Sequence, residues 1–400
     1  MSTWETYPFP KTIVKTKIGR ANQINSSEIN SSGRFPVVDQ GQAYIAGYSD
    51  DESKVIKNGL PVIIFGDHTR CFKYVDFPFI LGGDGTKVLK PNGELFHPKF
   101  FYFSLLSLDI PSRGYNRHFT LLKEQKIPHP EFDEQKKISI VLSTGQRAIE
   151  QQERLIELTT ELKKALMYKL FTEGLRGVPQ KQTEIGPVPE SWQVVPLEEV
   201  LIHKIVDGVH KTPNYIESGI PFITAKDIID GEICFDECRY ISAKAHEQLT
   251  RRVKPEKGDV LITKVGTVGN TAIIDFEQEF SIFVQIALLK PSYNMIVPEY
   301  LYWMLQSDAV QYEIMANAPQ STMKFIGVQK LAKVKIPCPS IQEQKEISEV
   351  LDAVKLKKKN SKAKRDKLTD LFRTLLHQLM TAQTRVHDLG ELEDLTSKGV

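Results

Sequence analysis

The sequence predicts a mixed α/β chain made twice over: two globular α/β segments, each followed by a long helix, with the two helices paired antiparallel as a coiled coil about a pseudo-twofold axis. Three observations predict it. Residues 127–142 (IPHPEFDEQKKISIVL) and 336–351 (IPCPSIQEQKEISEVL) are identical at 10 of 16 positions, at a constant offset of 209. Each copy runs on without a gap into a proline-free apolar stripe, and the register still holds at KLFT (169–172) against QLMT (378–381). Upstream of each copy lie short β-type runs bounded by Gly, Pro, Asn and Asp. A period near 200 residues is a duplicated domain, not a solenoid repeat.

In chain order, the first globular segment is expected over 1–130, with PVIIF (61–65) as a short β-type run. The first long helix is expected over 131–175. Its stripe is Ile138, Val141, Leu142, Ala148, Ile149, Leu155, Ile156, Leu162 and Leu166, at steps of three, four and seven. Gly174 and Gly177 end it, with Pro179 beyond. At about 1.5 Å per residue the helix spans about 60 Å. TEIGPVPESW (183–192) is a linker leading into the second globular segment, 176–339. Strands are expected at 257–263, 271–275 and 282–289, and a helix over 298–311. The second long helix, 340–381, carries Ile347, Val350, Leu351, Val354, Leu368, Leu371, Phe372, Leu375 and Leu379. The tail, 382–400, is polar and expected to be mobile.

Helices this long with one narrow stripe need a partner, and each copy supplies the other's. Ile138, Leu142, Ile149, Ile156, Leu162, Leu166, Ile347, Leu351, Leu368, Leu371 and Leu375 are the expected seam. The first helix carries Glu150, Glu153, Glu157 and Glu161, while 355–367 holds eight basic residues. An antiparallel pair centred on the twofold would set Glu150 against Lys362, Glu153 against Lys359 and Glu157 against Lys355. A parallel pair would also meet lysines but would set Glu157 near Asp366 and Glu161 near Asp370, so charge favours antiparallel only mildly. Exposed pairs of this kind contribute only about 0.2–1 kcal/mol each.

The duplication continues upstream with a growing offset: RFPVV (34–38) resembles GIPFI (219–223), VLKP (88–91) resembles LLKP (288–291), and Trp4 and Pro8 align with Trp192 and Pro196. If a twofold relates the two copies, residue 381 returns near residue 4, so the chain ends lie close together.

The composition excludes several classes. Lys+Arg 52 against Asp+Glu 50 leaves a net charge of +2, which excludes a histone-like polycation but not a local basic patch. With 41% apolar and 26% charged residues the chain is globular, not disordered. Cys71, Cys234, Cys238 and Cys338 form no C-x-x-C pair, which suggests neither a disulfide framework nor zinc, and a cytoplasmic location is expected. No basic and apolar leader opens the sequence, and no run of 18 apolar residues is present, so no membrane contact is expected.

No catalytic signature emerges either. A P-loop, a G-x-G-x-x-G after a strand, a G-x-S-x-G elbow and a zincin H-E-x-x-H are all missing. So are the Asn/Asp-Pro-Pro-Tyr/Phe pattern of amino-methyltransferases and a Pro-Asp…Glu-x-Lys nuclease arrangement. Gly82-Gly83-Asp84-Gly85 reads as a tight turn, and Asp67-His68 beside Cys71 as a polar loop after a strand rather than a nucleophile site. No catalytic residue, metal site or bound cofactor is therefore expected.

Two similar domains on a paired-helix rod suit a long, periodic ligand such as duplex DNA, with the rod fixing the separation of two half-sites. The polar loops carry suitable side chains. In the first segment these are Arg34, Gln40, Tyr44, His68, Thr69, Arg70, Arg113, Tyr115, Asn116, Arg117 and His118. In the second they are His210, Lys211, Thr212, Tyr215, Lys226, Arg251, Arg252, Lys264, Thr267, Asn270, Gln320, Ser321 and Lys324. Arg, Lys, Asn and Gln can discriminate base edges, and the other cations hold phosphates. The plain alternative for each is an exposed polar residue.

The tandem segments with duplicated helices, together with GYNRHF (114–119), PVPESWQVVPLEEV (187–200), GIPFITAKDI (219–228), KGDVLITKVGTVGN (257–270) and the repeated IPxPxxxEQxxI, resemble the specificity (S) subunit of a type I restriction–modification enzyme. The first unit departs from this pattern in lacking an IGPVPESW-like lead-in before Trp4. The resemblance implies two target recognition domains, each reading half of a bipartite asymmetric DNA site, with the antiparallel coiled coil setting the gap. It implies docking of two methyltransferase (M) subunits, which carry S-adenosylmethionine and methylate adenine, and two restriction (R) subunits, which use ATP and Mg. The chain itself would be non-catalytic. Two other readings stay open: a self-sufficient DNA-modifying enzyme with unfamiliar motifs, and a coiled-coil adaptor with no DNA role.

Overall fold

In the computed structural model of the chain, residues 4–112, 114, 116–318 and 324–386 are described. They fall into two compact units: 1–154 with 362–400, and 155–361.

In the first unit Val62–Gly66 lies between Thr86–Pro91 and Phe72–Val75, with Ile13–Val14 beyond Thr86–Pro91, all antiparallel. Val62, Ile63, Ile64 and Phe65 are fully buried, which suits a β-branched and aromatic run. A second sheet orders Gln23–Ile24, Ile80–Gly82, Phe35–Val38 and Gly47–Ser49. In the second unit Val260–Thr263 lies between Ile286–Leu289 and Thr271–Ile273, with Val206–Asp207 beyond Ile286–Leu289. The strand order is that of the first unit. A further sheet orders Arg239–Ile241, Ile220–Ile223 and Ser281–Ile282.

The duplicated motif acts the same way in both units. Lys126–His129 pairs antiparallel with Glu5–Pro8, and Lys335–Cys338 with Gln193–Pro196. The motif glutamine is buried in each. Gln135 accepts from His97 N and donates to Leu95 O and Pro130 O. Gln344 accepts from Val297 N and donates to Met295 O and Pro339 O. One amide thus satisfies three buried backbone groups where a long helix starts, and no apolar residue could replace it without leaving them unpaired.

The long helices are Phe132–Glu173 and Ile341–Met380. The first ends at Gly174, whose φ of 68° is the left-handed cap glycine tolerates. In the first unit a Cβ on Gly145 would lie 3.2 Å from the Phe372 ring, and in the second a Cβ on Gly174 would lie 3.0 Å from Glu343 Oε1. Glu134 also meets Arg385 in the first unit, and Lys163 lies near Lys355 and Lys358 in the second. Within each unit the helical halves therefore run antiparallel, and the register differs by five residues from the one expected from charge. Glu150 falls level with Lys367 and Glu153 with Lys364 in the first unit, and Glu157 with Asn360 in the second.

The expected seam is corrected at two positions. Ile138, Leu142, Ile347 and Leu351 are buried in the unit cores, Leu166 and Leu375 pack on them, and Ile149, Ile156 and Leu368 are half-buried. Leu162 and Leu371, however, are 50% and 54% exposed. At 3.6 residues per turn Leu162 stands about 240° round the helix from Ile138, and Leu371 the same from Ile347. The buried face continues instead through Gln152, Thr159 and Ser361, whose polarity hides them from an apolar pattern.

Three loop and boundary expectations also change. The run 282–289 breaks after Ile282, because Phe283 N donates to Ile223 O before Ile286–Leu289 joins the other sheet. The helix over 298–311 is two, Pro298–Leu305 and Asp308–Asn317, since Ser307 caps the second through Val310 N. The linker at 183–192 is ordered: Gln180–Thr183 and Gly186–Pro189 form a hairpin, and Trp192 is buried.

The expected mobile tail is corrected at its start, and 387–400 lie outside the described residues. Arg385 donates to both Glu134 oxygens, at 3.0 and 2.9 Å, and stacks over Trp4 at 5.1 Å, while Val386 is buried. Within the first unit, Trp4 and Arg385 thus bring the two ends of the described chain together, as the duplication implies. In the second unit Trp192 Nε1 donates to Glu343 at 3.1 Å, whereas the Trp4 indole N–H has no partner among the described residues.

Candidate nucleic-acid interface

In the first unit the polar loops are braced by backbone hydrogen bonds. Lys73, 4% exposed, donates to Asp39 O and Ala43 O and so pins the loop carrying Gln40. Burial lowers its pKa, against the pull of Asp39. Gln40 accepts from His68 N (3.2 Å) and donates to Asp84 O (2.7 Å), and Thr69 donates to Gln40 O. Arg70 takes a positive φ of 62° and donates to Ile110 O at 2.7 Å. His118 is fully buried, with Nδ1 2.9 Å from Asp67 O, and Asp67 accepts from Phe119 N at 2.8 Å. His118 is therefore a brace and not a surface reader, and Asp67 anchors the same segment rather than a nucleophile.

Arg34 and Tyr44 remain at the surface, Arg34 near Glu52 (3.8 Å) and Tyr44 hydrogen-bonded to Tyr74 O. Asn116 and Arg117 are exposed. Arg113 and Tyr115 lie outside the described residues.

In the second unit an ion cluster buries one expected reader, Lys264, and tethers two others that stay exposed, Arg252 and His210. Asp207, 8% exposed, meets Lys264 at 3.1 Å, Arg252 at 3.0 Å and His210 at 3.4 Å. Lys264 is itself buried. Burial works against the Asp207 carboxylate, but the Lys264 hydrogen bond and the three cations outweigh it and lower the pKa. Lys264 thus braces the loop, and Arg252 and His210 are held on it. Arg251 pairs with Glu247 on the Ala243–Thr250 helix.

Thr212, Tyr215, Lys226 and Thr267 are brought together around an open cavity of about 480 Å³. Lys226 donates to Glu237 O at 3.1 Å. Gly266 N donates to Lys324 O beside this edge, and Asn270 donates to Ile228 O. Lys211 and Lys324 are exposed. Gln320 and Ser321 lie outside the described residues.

Sequence reading missed Arg239 and Gln285, which also line the cavity. Arg239 follows the Cys234 and Cys238 stretch, and no pattern there marks it as facing Tyr215. Among the described residues, no group of three His, Cys, Asp or Glu could hold a metal, and no helix is long and apolar enough to cross a membrane.

Comparison with known families fits this arrangement of two domains with equivalent loop edges. A family described as type I restriction modification DNA specificity domain matches residues 11–160 and 189–370, one match in each half of the chain. The chain belongs to that family. As a specificity subunit it is the DNA-recognition component of its system rather than a catalytic one. It is 24% identical to the type I restriction enzyme EcoR124I/EcoR124II specificity subunit of Escherichia coli, over 82% of this chain and 81% of that one. It is 25% identical to the MjaVIII specificity subunit of Methanocaldococcus jannaschii, over 66% of this chain and 63% of that one. Among solved structures, the type I restriction–modification S subunit from M. genitalium superposes with a TM-score of 0.62 over 94% of this chain and 96% of that one, at 19% identity, which is a likeness of fold.

Proposed function

We propose that this specificity subunit reads a bipartite, asymmetric duplex DNA target, one half-site with each target recognition domain, the paired helices setting the gap. One observation carries the reading: two domains that share the strand order of one four-stranded sheet and are keyed by the same buried glutamine present different side chains from their loops. Identical scaffolds with different edges suit two different half-sites. Both long helices start in one unit and finish in the other, as a spacer requires. The subunit would dock two methyltransferase subunits, each carrying S-adenosylmethionine for adenine methylation. Through them it would join two restriction subunits using ATP and Mg. Two near-equivalent surfaces offer two docking sites.

Methylome sequencing of cells holding this chain and its methyltransferase partner tests the reading. The expected result is one motif of two defined halves separated by an undefined gap. A purified chain that methylates or cuts DNA alone would favour a self-sufficient enzyme. A chain without salt-dependent DNA affinity would favour an adaptor, because phosphate contacts weaken steeply with salt.

The chain's closure on itself yields a second prediction. A circular permutant joined between the present ends and opened between Gly177 and Lys181 is expected to keep the same methylation motif, since Gly177 is in open space. Failure of the soluble permutant to assemble with the methyltransferase would count against this closure.

A further inference from the structure

The cavity in the second domain carries a narrower assignment, which rests on the reading just proposed. Arg239 sits on the strand Arg239–Ile241, level with Phe222 of the neighbouring strand. Its guanidinium lies 4.5 Å from the centroid of the Tyr215 ring. Tyr215 packs on the buried Phe222 at 5.9 Å, and Phe222 on Phe283 at 5.9 Å, so the plane under the arginine is fixed by the core. Among the described residues, the Arg239 guanidinium makes no hydrogen bond or ion pair. A stacked guanidinium keeps its donor fork pre-organised, unlike a cation waving in solvent.

Gln285 stands beside it. The equivalent spot in the first unit explains its state. There Gln40, two residues after the strand Phe35–Val38, reaches across to Gly85, the residue before Thr86–Pro91. Both ends of its amide are engaged. In the second unit the partners are exchanged: Ala225 follows Ile220–Ile223 by two residues, and Gln285 precedes Ile286–Leu289. Gln285 Oε1 accepts from Ala225 N at 3.4 Å, and its Nε2 makes no hydrogen bond among the described residues. The Gln40 amide closes the first domain's edge with both its ends, whereas Gln285 leaves its donor unpaired among the described residues.

Arg239, on a strand, and Gln285, in the turn before Ile286–Leu289, therefore offer donors to a cavity that the Tyr215 and Phe283 rings help to line. Guanine is the base whose major-groove edge offers two acceptors, N7 and O6, spaced for a bidentate arginine. Adenine and cytosine would set an amino group against these donors. We propose that the second domain reads a guanine here, with Arg239 as the bidentate donor and Gln285 Nε2 offered to an acceptor on the neighbouring base.

The test uses the full chain with its methyltransferase partner and methylome sequencing of wild type, Arg239→Ala, Arg239→Lys and Gln285→Met. The wild-type motif is expected to contain a G·C pair in one half. Arg239→Ala is expected to relax that pair roughly 5- to 100-fold, and Arg239→Lys to relax it less, since a lysine lacks the fork, while the other half is unchanged. Gln285→Met is expected to relax the adjacent position. If Arg239→Ala does not fold, Arg239→Lys and Gln285→Met still decide. The assignment is overturned if no position relaxes, if neither half contains a G·C pair, or if Arg239→Lys keeps the motif and Arg239→Ala only weakens every site equally with a smaller salt slope, the mark of a phosphate contact. A wild-type chain with no bipartite motif would instead overturn the reading of the whole subunit.

Discussion

Inserting four residues near Gln151 and four near Ser361 is expected to widen the DNA gap by one to two base pairs and to leave both half-site sequences unchanged. Four residues add about 6 Å of helix and slightly more than one turn, so the buried faces stay nearly in phase. One turn of DNA spans about 34 Å, so 6 Å is close to two base pairs. Inserting in both helices keeps the flanking antiparallel pairs, Gly145 with Phe372 and Gly174 with Glu343, in register within their units. Insertion in one helix alone shifts one pair against the other and is expected to cost assembly or stability. Methylome sequencing reads the outcome: changed half-sites with an unchanged gap would refute the spacer.

The second large effect is expected at Asp207. Asp207→Ala leaves Lys264 buried without its counter-charge and releases Arg252 and His210. Removing one partner of a mostly buried pair costs on the order of 3 kcal/mol. Urea unfolding followed by tryptophan fluorescence measures it, because Trp192 and Trp303 both report on the second unit. Adding Lys264→Met to Asp207→Ala is expected to recover part of the loss, since the stranded charge is then gone. An Asp207→Ala midpoint equal to the parent's would sink the idea. The cluster also has a pH signature. The Asp207 pKa is lowered on folding, so its stabilisation is complete above the ordinary carboxyl value of 3.8 and is lost as pH falls through the lowered value. Asp207→Ala should therefore lose stability relative to the parent at neutral pH and match it more closely in strong acid.

The parts of the fold legible in the sequence are those where one residue type has one physical task. The repeated glutamine of IPxPxxxEQxxI was legible as repetition because three backbone groups in each unit depend on it. The long helices were legible because no proline interrupts them and Gly174 ends the first. Leu162 and Leu371 were misread because a heptad count drifts against 3.6 residues per turn, and because Gln152, Thr159 and Ser361 bury polar side chains on the true face. The interface was only partly legible. An arginine or histidine in a loop signals polarity, not direction: His118 turned inward to Asp67 and Lys264 to Asp207, while Arg239 faced the cavity unnoticed. Such partners lie tens of residues apart, and local sequence holds no record of them.

The division of the chain has a consequence for its synthesis. The second unit is continuous, 155–361, whereas the first needs 1–154 together with 362–400. Phe372, Leu375, Leu379, Met380 and Val386 all belong to the first unit's core. A ribosome emitting residues in order therefore releases everything the later unit needs before the earlier unit receives its last wall. Domains usually complete themselves from the amino terminus during translation. Here that order is inverted, since the first unit's core is complete only once residues 362–386 have been made.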